Sequence, residues 1–86
     1  MQTDNKQQIR NSLAKVMKRL RGVKSQFIFS SENEIPLSII STAERGLKDP
    51  QLTTLFKLAE AYNLSLSEFI KMIENELPKG FSMLDK

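Results

Sequence analysis

All of the chain's glycine and proline, Gly22, Pro36, Gly46, Pro50, Pro78 and Gly80, falls between short segments of helical period. Gly closes a helix by accepting the left-handed conformation, and Pro fits a first turn but cannot continue an interior one. In the first segment Ile9, Leu13, Val16, Met17 and Leu20 recur three or four residues apart, with Lys15, Lys18 and Arg19 between them. That spacing predicts a basic amphipathic helix over residues 6–21. Ser25 is a good N-cap for a short second helix over 26–31, although the continuous Phe27-Ile28-Phe29 run does not by periodicity alone exclude a strand. Pro36 opens a third helix over 36–45, whose apolar side is Ile40 and Ala43 with Ile35 and Ile39 nearby. Leu52, Leu55, Phe56, Ala59 and Tyr62 read as the stripe of a fourth over 51–62. Ser65-Leu66-Ser67-Glu68 is a capping box for a fifth, carrying Leu66, Phe69, Ile70, Ile73 and Leu77 on one face. The connections are short, so the expectation is one all-α, compact five-helix domain over residues 1–86, with its core at about 6–77 and a tail at 78–86. Phe81 and its neighbours make that tail too apolar to be wholly solvated, and it is expected to dock on its own domain or on a partner subunit.

A chain of 86 residues can build one core that is only just sufficient. It has no Cys and no His, which removes disulfides, thiolate nucleophiles, the usual zinc ligands and the commonest general base. No Gly-rich phosphate loop or nucleophile-elbow pattern is present. Neither an enzyme nor a cofactor is therefore expected. No apolar run approaches the roughly 18 residues a membrane span needs, and the polar stretch Met1 to Gln8 lacks a signal-peptide core. A soluble, cytoplasmic protein without a membrane partner is the expectation.

The net charge is +3, but residues 1–24 hold seven Lys or Arg against Asp4 alone. Such a basic end suits a polyanion, and equally a solvated helix face. Two short helices joined by a tight turn, in a small all-α domain with a basic first helix, are the parts of a DNA-binding helix-turn-helix.

Between about Leu13 and Phe69 the sequence resembles the Cro/cI-like, or Xre-type, helix-turn-helix regulators of phages and bacteria. The resemblance is carried by Leu13-Ala14 through Leu20-Arg21, Ser25-Gln26, Ile40-Ser41 with Glu44-Arg45-Gly46, Pro50 with Leu52 and Thr54-Leu55, Leu58-Ala59, and Leu64 to Phe69. Among these regulators it is most similar to small one-domain members, including the controller proteins of restriction-modification systems. The resemblance implies a lambda-repressor-like fold in which helices 2 and 3 form the helix-turn-helix and helix 36–45 enters the major groove.

By the same resemblance Leu37, Ser38 and Thr42 match base-reading positions, and Lys24, Gln26 and Lys48 match positions that meet phosphates. Glu44 matches a residue whose carboxylate pairs with Arg21. Met72, Ile73 and Glu76 are candidates for a dimer seam, with completion of the core as the alternative. The implied partners are double-stranded DNA and a second copy, since a two-fold pair can read a palindrome with half-sites about one helical turn apart. Glu34 stands where the family's turn usually has Gly, and Pro36 where a Ser or Thr cap is common.

The apolar residues around this motif admit two readings. In one, Phe27 packs under the first helix and Ile39 is partly covered. In the other, Phe27, Ile28, Leu37 and Ile39 form a surface for a protein partner, as in an antitoxin-like or anti-repressor module.

Overall fold

The computed structural model describes residues 2–84, with side chains from Asn5 onward, as five α-helices. These are α1 (Gln2–Arg21), α2 (Gln26–Asn33), α3 (Leu37–Glu44), α4 (Leu52–Ala61) and α5 (Leu66–Glu76). Among the described residues there is no strand. α1 packs against α3 and α5, α2 against α3, and α4 against α5.

The first helix starts at Gln2 rather than residue 6. Residues 2–5 carry no apolar period to announce a helix, yet extending an existing one adds a backbone bond for each residue fixed, which nucleation does not. α2 runs two residues beyond its expected end and closes on Glu34, at φ 53° and ψ 41°. A non-glycine residue in that left-handed region costs about 1–2 kcal/mol. The turn offsets the cost locally: the Glu34 amide donates to the Ser30 carbonyl, and Lys57 Nζ donates to the Glu34 carbonyl at 2.9 Å. The Ser30 hydroxyl donates to the Ile35 carbonyl, so Ser30 ties the helix to the turn that follows it.

The core consists of Leu13, Val16 and Met17 from α1, Phe29 from α2, Ile35, Ile40 and Ala43 around α3, Leu58 and Ala59 from α4, and Phe69 and Ile73 from α5. Tyr62 joins two of its aromatic rings, stacked on Phe29 at 5.0 Å and tilted against Phe69 at 5.6 Å. Its hydroxyl is buried without a partner among the described residues, and burial, helped by the nearby Glu44 charge, pushes its pKa well up. Tyr62 is thus a neutral core residue.

Two sequence expectations are corrected here. The buried stripe of α4 is Leu55, Leu58, Ala59 and Tyr62, with Leu58 wholly buried, whereas Leu52 and Phe56 are exposed. A stripe counted three and four residues on from Leu52 lies one step toward solvent from the buried one. Phe27 does not pack under α1; it is 69 % exposed. Phe29 takes the inward position of α2, and two residues at 100° each leave Phe27 pointing away from the core.

The tail folds back over the domain. Phe81 and Met83 line a cleft with Ile9, Leu13, Ile70, Ile73 and Leu77; Phe81 is partly buried there, while Met83 and Leu84 remain exposed. Of the last residues, Asp85 and Lys86 lie outside the described range.

Candidate nucleic-acid interface

The outward face of the α2–turn–α3 unit follows from which side chains the core claims. Ile40, Ala43 and Glu44 turn inward and Ile39 packs against the core, which leaves Leu37, Ser38, Ser41, Thr42 and Arg45 on the opposite side of α3. Leu37 is 42 % exposed and Ser38 is exposed, both in the first turn. The side chain of Pro36 makes no cap hydrogen bond, so the first amides of α3 lack that internal acceptor. Uncapped amides at a helix N-terminus present partial positive charge to whatever approaches.

The orientation of α3 is fixed by a buried charge. Glu44 is 1 % exposed and its carboxylate accepts from three side-chain groups: Arg21 Nε at 2.8 Å, Arg21 Nη2 at 2.7 Å and Gln26 Nε2 at 3.0 Å. Burial acts to raise the Glu44 pKa, but the bonds from Arg21 and Gln26 and the charges of Arg21 and Lys18 outweigh it, holding the carboxyl below its ordinary 4.5. Arg21 also donates to the Lys24 carbonyl at 2.6 Å. One guanidinium therefore joins the end of α1, the α1–α2 connection and the last turn of α3, while Gln26 adds the start of α2.

At the far end of α3 a second clamp holds the turn into α4. Gly46, at φ 70°, lets the chain reverse, and its carbonyl accepts from Gln7 Nε2 at 2.9 Å. A Cβ there would sit 2.8 Å from Asn11 Oδ1, closer than real contacts come. Arg10 grips Asp49 through bonds of 2.9 and 3.3 Å. The loop between, with Lys48, is thus anchored on α1 while Lys48 itself is exposed and has no ion-pair partner among the described residues.

The candidate phosphate contacts differ in what occupies them. Lys24 pairs with Glu32, both about half exposed. Such surface pairs are worth about 0–1 kcal/mol, so a phosphate can recruit Lys24 at small cost. Gln26 spends one amide hydrogen on Glu44, and an amide nitrogen carries two. At the start of α2, Ser25 Oγ accepts from the Ile28 amide, capping one of the first amides of the helix. Thr42 Oγ1 donates to the Ser38 carbonyl at 2.7 Å, with a longer approach to Ile39 at 3.3 Å. Its hydroxyl hydrogen is engaged within the helix, so toward any outside partner it is an acceptor.

The three residues named for a dimer seam are not equivalent. Ile73 is 7 % exposed and belongs to the core of its own domain, Met72 packs against that core, and Glu76 accepts from Arg19 at 2.9 Å. Sequence reasoning missed the Gln26–Glu44 bond, the Arg10–Asp49 and Arg19–Glu76 pairs and the Thr42 back-bond. The two ion pairs join residues 39 and 57 positions apart, a separation with no local pattern.

Acid should loosen this arrangement. The Glu44 pKa is depressed on folding, so its stabilising contribution is complete above the ordinary 4.5 and is lost as pH falls through the lower folded value. Glu68 is also held low, by the Ser65 amide and hydroxyl of the α5 capping box, and acts in the same sense. Thermal melts between pH 7 and pH 3 are expected to show a midpoint that falls below about pH 4.5, with a smaller fall in a Glu44→Gln variant measured against its own neutral-pH value.

Among the described residues no cluster of acidic side chains could hold a metal, and no helix is long and apolar enough to cross a membrane. A Helix-turn-helix family model matches residues 34–69, from the turn before α3 to the buried Phe69 of α5. No curated protein and no solved structure matches the chain. With α2 and α3 joined by a tight turn and α3 presented outward, the segment from Glu34 to Phe69, which holds α3, is similar to the Cro/cI-like (Xre-type) helix-turn-helix family.

Proposed function

We propose that the protein binds a specific operator as a two-fold pair, with α3 in the major groove of each half-site. The observation that carries the reading is the outward face of α3, whose small or apolar side chains leave the helix free to approach base edges while Glu44 anchors it from behind. Leu37, Ser38 and Thr42 are assigned to the bases, and Lys24, Gln26 and Lys48 to phosphates on either side, where contacts fix register and affinity without reading sequence. Such a regulator works by occupying its site, and the position of that site relative to a promoter decides between repression and activation. One α3 spans few base pairs, so pairing of two copies supplies the remaining discrimination; Met72 and Glu76, both only partly buried, are assigned to the seam.

A second reading rests on the exposure of Phe27 and Ile28, 69 % and 47 %, beside that face. Under it the same fold docks a protein partner, and DNA is incidental. Selection of bound duplexes from a randomised pool separates the two, with the winner and a scrambled control titrated at low and near-physiological salt. The operator reading expects a palindromic motif, half-sites about 10 base pairs apart, and preference over the control that survives salt. A steep salt slope with no motif would instead indicate general electrostatic binding, and no binding at either salt would favour the protein partner.

A further inference from the structure

The side chains on the α3 face carry an unusual inventory for reading bases. Leu37, Ser38, Ser41 and Thr42 include no amide, guanidinium, ammonium or carboxylate. The bidentate contacts that single out guanine need Arg or Lys, those that single out adenine need Asn or Gln, and acceptance from cytosine is typical of Asp or Glu. Arg45, the nearest candidate, caps the C-terminal end of α3, whereas helix N-terminal residues meet the base edges in this docking geometry.

The hydroxyls supply little discrimination. Thr42 donates to the Ser38 carbonyl at 2.7 Å, and while that bond holds its oxygen only accepts, a role that adenine and cytosine amino groups satisfy alike. Ser38 can donate or accept, so it suits several edges. Leu37 is different: it sits at the first position of α3, 42 % exposed, and cannot hydrogen-bond. In the major groove the thymine C5 methyl is the apolar feature that distinguishes one unmodified base from the others.

We propose that each half-site places a thymine opposite Leu37 and that contact between its C5 methyl and the Leu37 side chain is the principal base-discriminating interaction of α3. The proposal rests on the operator reading above. It makes the operator recognisable by a group that carries no hydrogen bond, and it gives a function to an exposed leucine outside the buried core.

Deoxyuridine tests it, because it keeps every pairing and hydrogen-bonding group of thymine and lacks only the methyl. Each thymine of the selected operator is replaced in turn, and affinity is measured for the wild type and for Leu37→Ala. One position per half-site is expected to lose about fourfold on replacement, and about fifteenfold when both half-sites are changed. Leu37→Ala should lose a similar amount on the thymine duplex and become indifferent to uracil at that position, with an unchanged thermal midpoint since the side chain is outside the core. A wild type that retains its motif but is indifferent to uracil everywhere overturns the inference while the operator reading stands. So does a Leu37→Ala protein that keeps the full uracil penalty, because another residue then reads the methyl. A pool that returns no motif removes the operator reading itself, and the inference with it.

Discussion

Arg21→Met is expected to lower the stability of the domain by about 3–5 kcal/mol, the cost of stranding one partner of a buried ion pair. Glu44 is 1 % exposed, and without the guanidinium its carboxylate keeps only the Gln26 bond at 3.0 Å. It must then stay charged in a poor environment or take up a proton, and either course costs stability at neutral pH. A small domain has only about 5–15 kcal/mol to lose, so denaturant unfolding should show a large fall in midpoint with little change in slope. The double variant Arg21→Met with Glu44→Leu separates the loss of a partner from the worth of the pair. Replacing both charges by apolar groups of similar size is commonly near neutral, so most of the stability should return. DNA affinity should not return with it, because the bonds that orient α3 on α1 and α2 are then gone.

Leu37→Glu should move stability and binding in opposite directions. Leu37 lies outside the core, and an acidic residue in the first turn of a helix is favourable by about 0.3–1 kcal/mol through the helix dipole. The thermal midpoint is therefore expected to hold or rise slightly. Operator affinity should fall by at least tenfold for each half-site, about a hundredfold for a two-fold site, since a wrong contact at one base position costs about 1–3 kcal/mol and the new carboxylate also faces phosphates. Parallel melts and binding titrations on the same preparation check both halves. A surface that bound only a protein partner would show no such dependence on duplex.

The helices were legible because their apolar spacing and their stops agree. The α5 capping box, with Ser65 Oγ accepting from the Glu68 amide and Glu68 accepting from the Ser65 amide, is local chemistry that four consecutive residues spell out. Where a helix has apolar residues on more than one side, periodicity loses its phase. Leu52, Leu55, Phe56, Leu58 and Ala59 support two neighbouring stripes, and only the packing of α4 on α5 decides that Leu58 is buried and Phe56 is not. Phe27 and Phe29 posed the same ambiguity in α2.

At the site, the sequence could nominate residues but not their commitments. Gln26, nominated for phosphate, also holds Glu44; Thr42, nominated for bases, has given its hydrogen to its own helix. Lys24 is paired with Glu32, whereas Lys48 stands clear on a loop anchored by Arg10 and Asp49. Apart from the Thr42 back-bond, which lies within α3, these are contacts between segments brought together by the fold, and no spacing rule reaches across them. Glu34 illustrates the reverse case. Its positive φ is where the family's glycine would sit, and the Ser30 and Lys57 bonds around it show how the turn tolerates a side chain there.

Under the operator reading, α3, presented outward and anchored through Glu44, is the surface that meets DNA. The most direct test of that reading is to map amide chemical shifts of isotope-labelled protein during titration with the selected duplex. Perturbations are expected to concentrate at the start of α2 around Gln26, along Leu37, Ser38 and Thr42, and in the loop at Lys48, with the far end of α5 affected only by pairing of copies. Shifts confined to the basic outer face of α1, or an unperturbed α3 in a saturated complex, would contradict it.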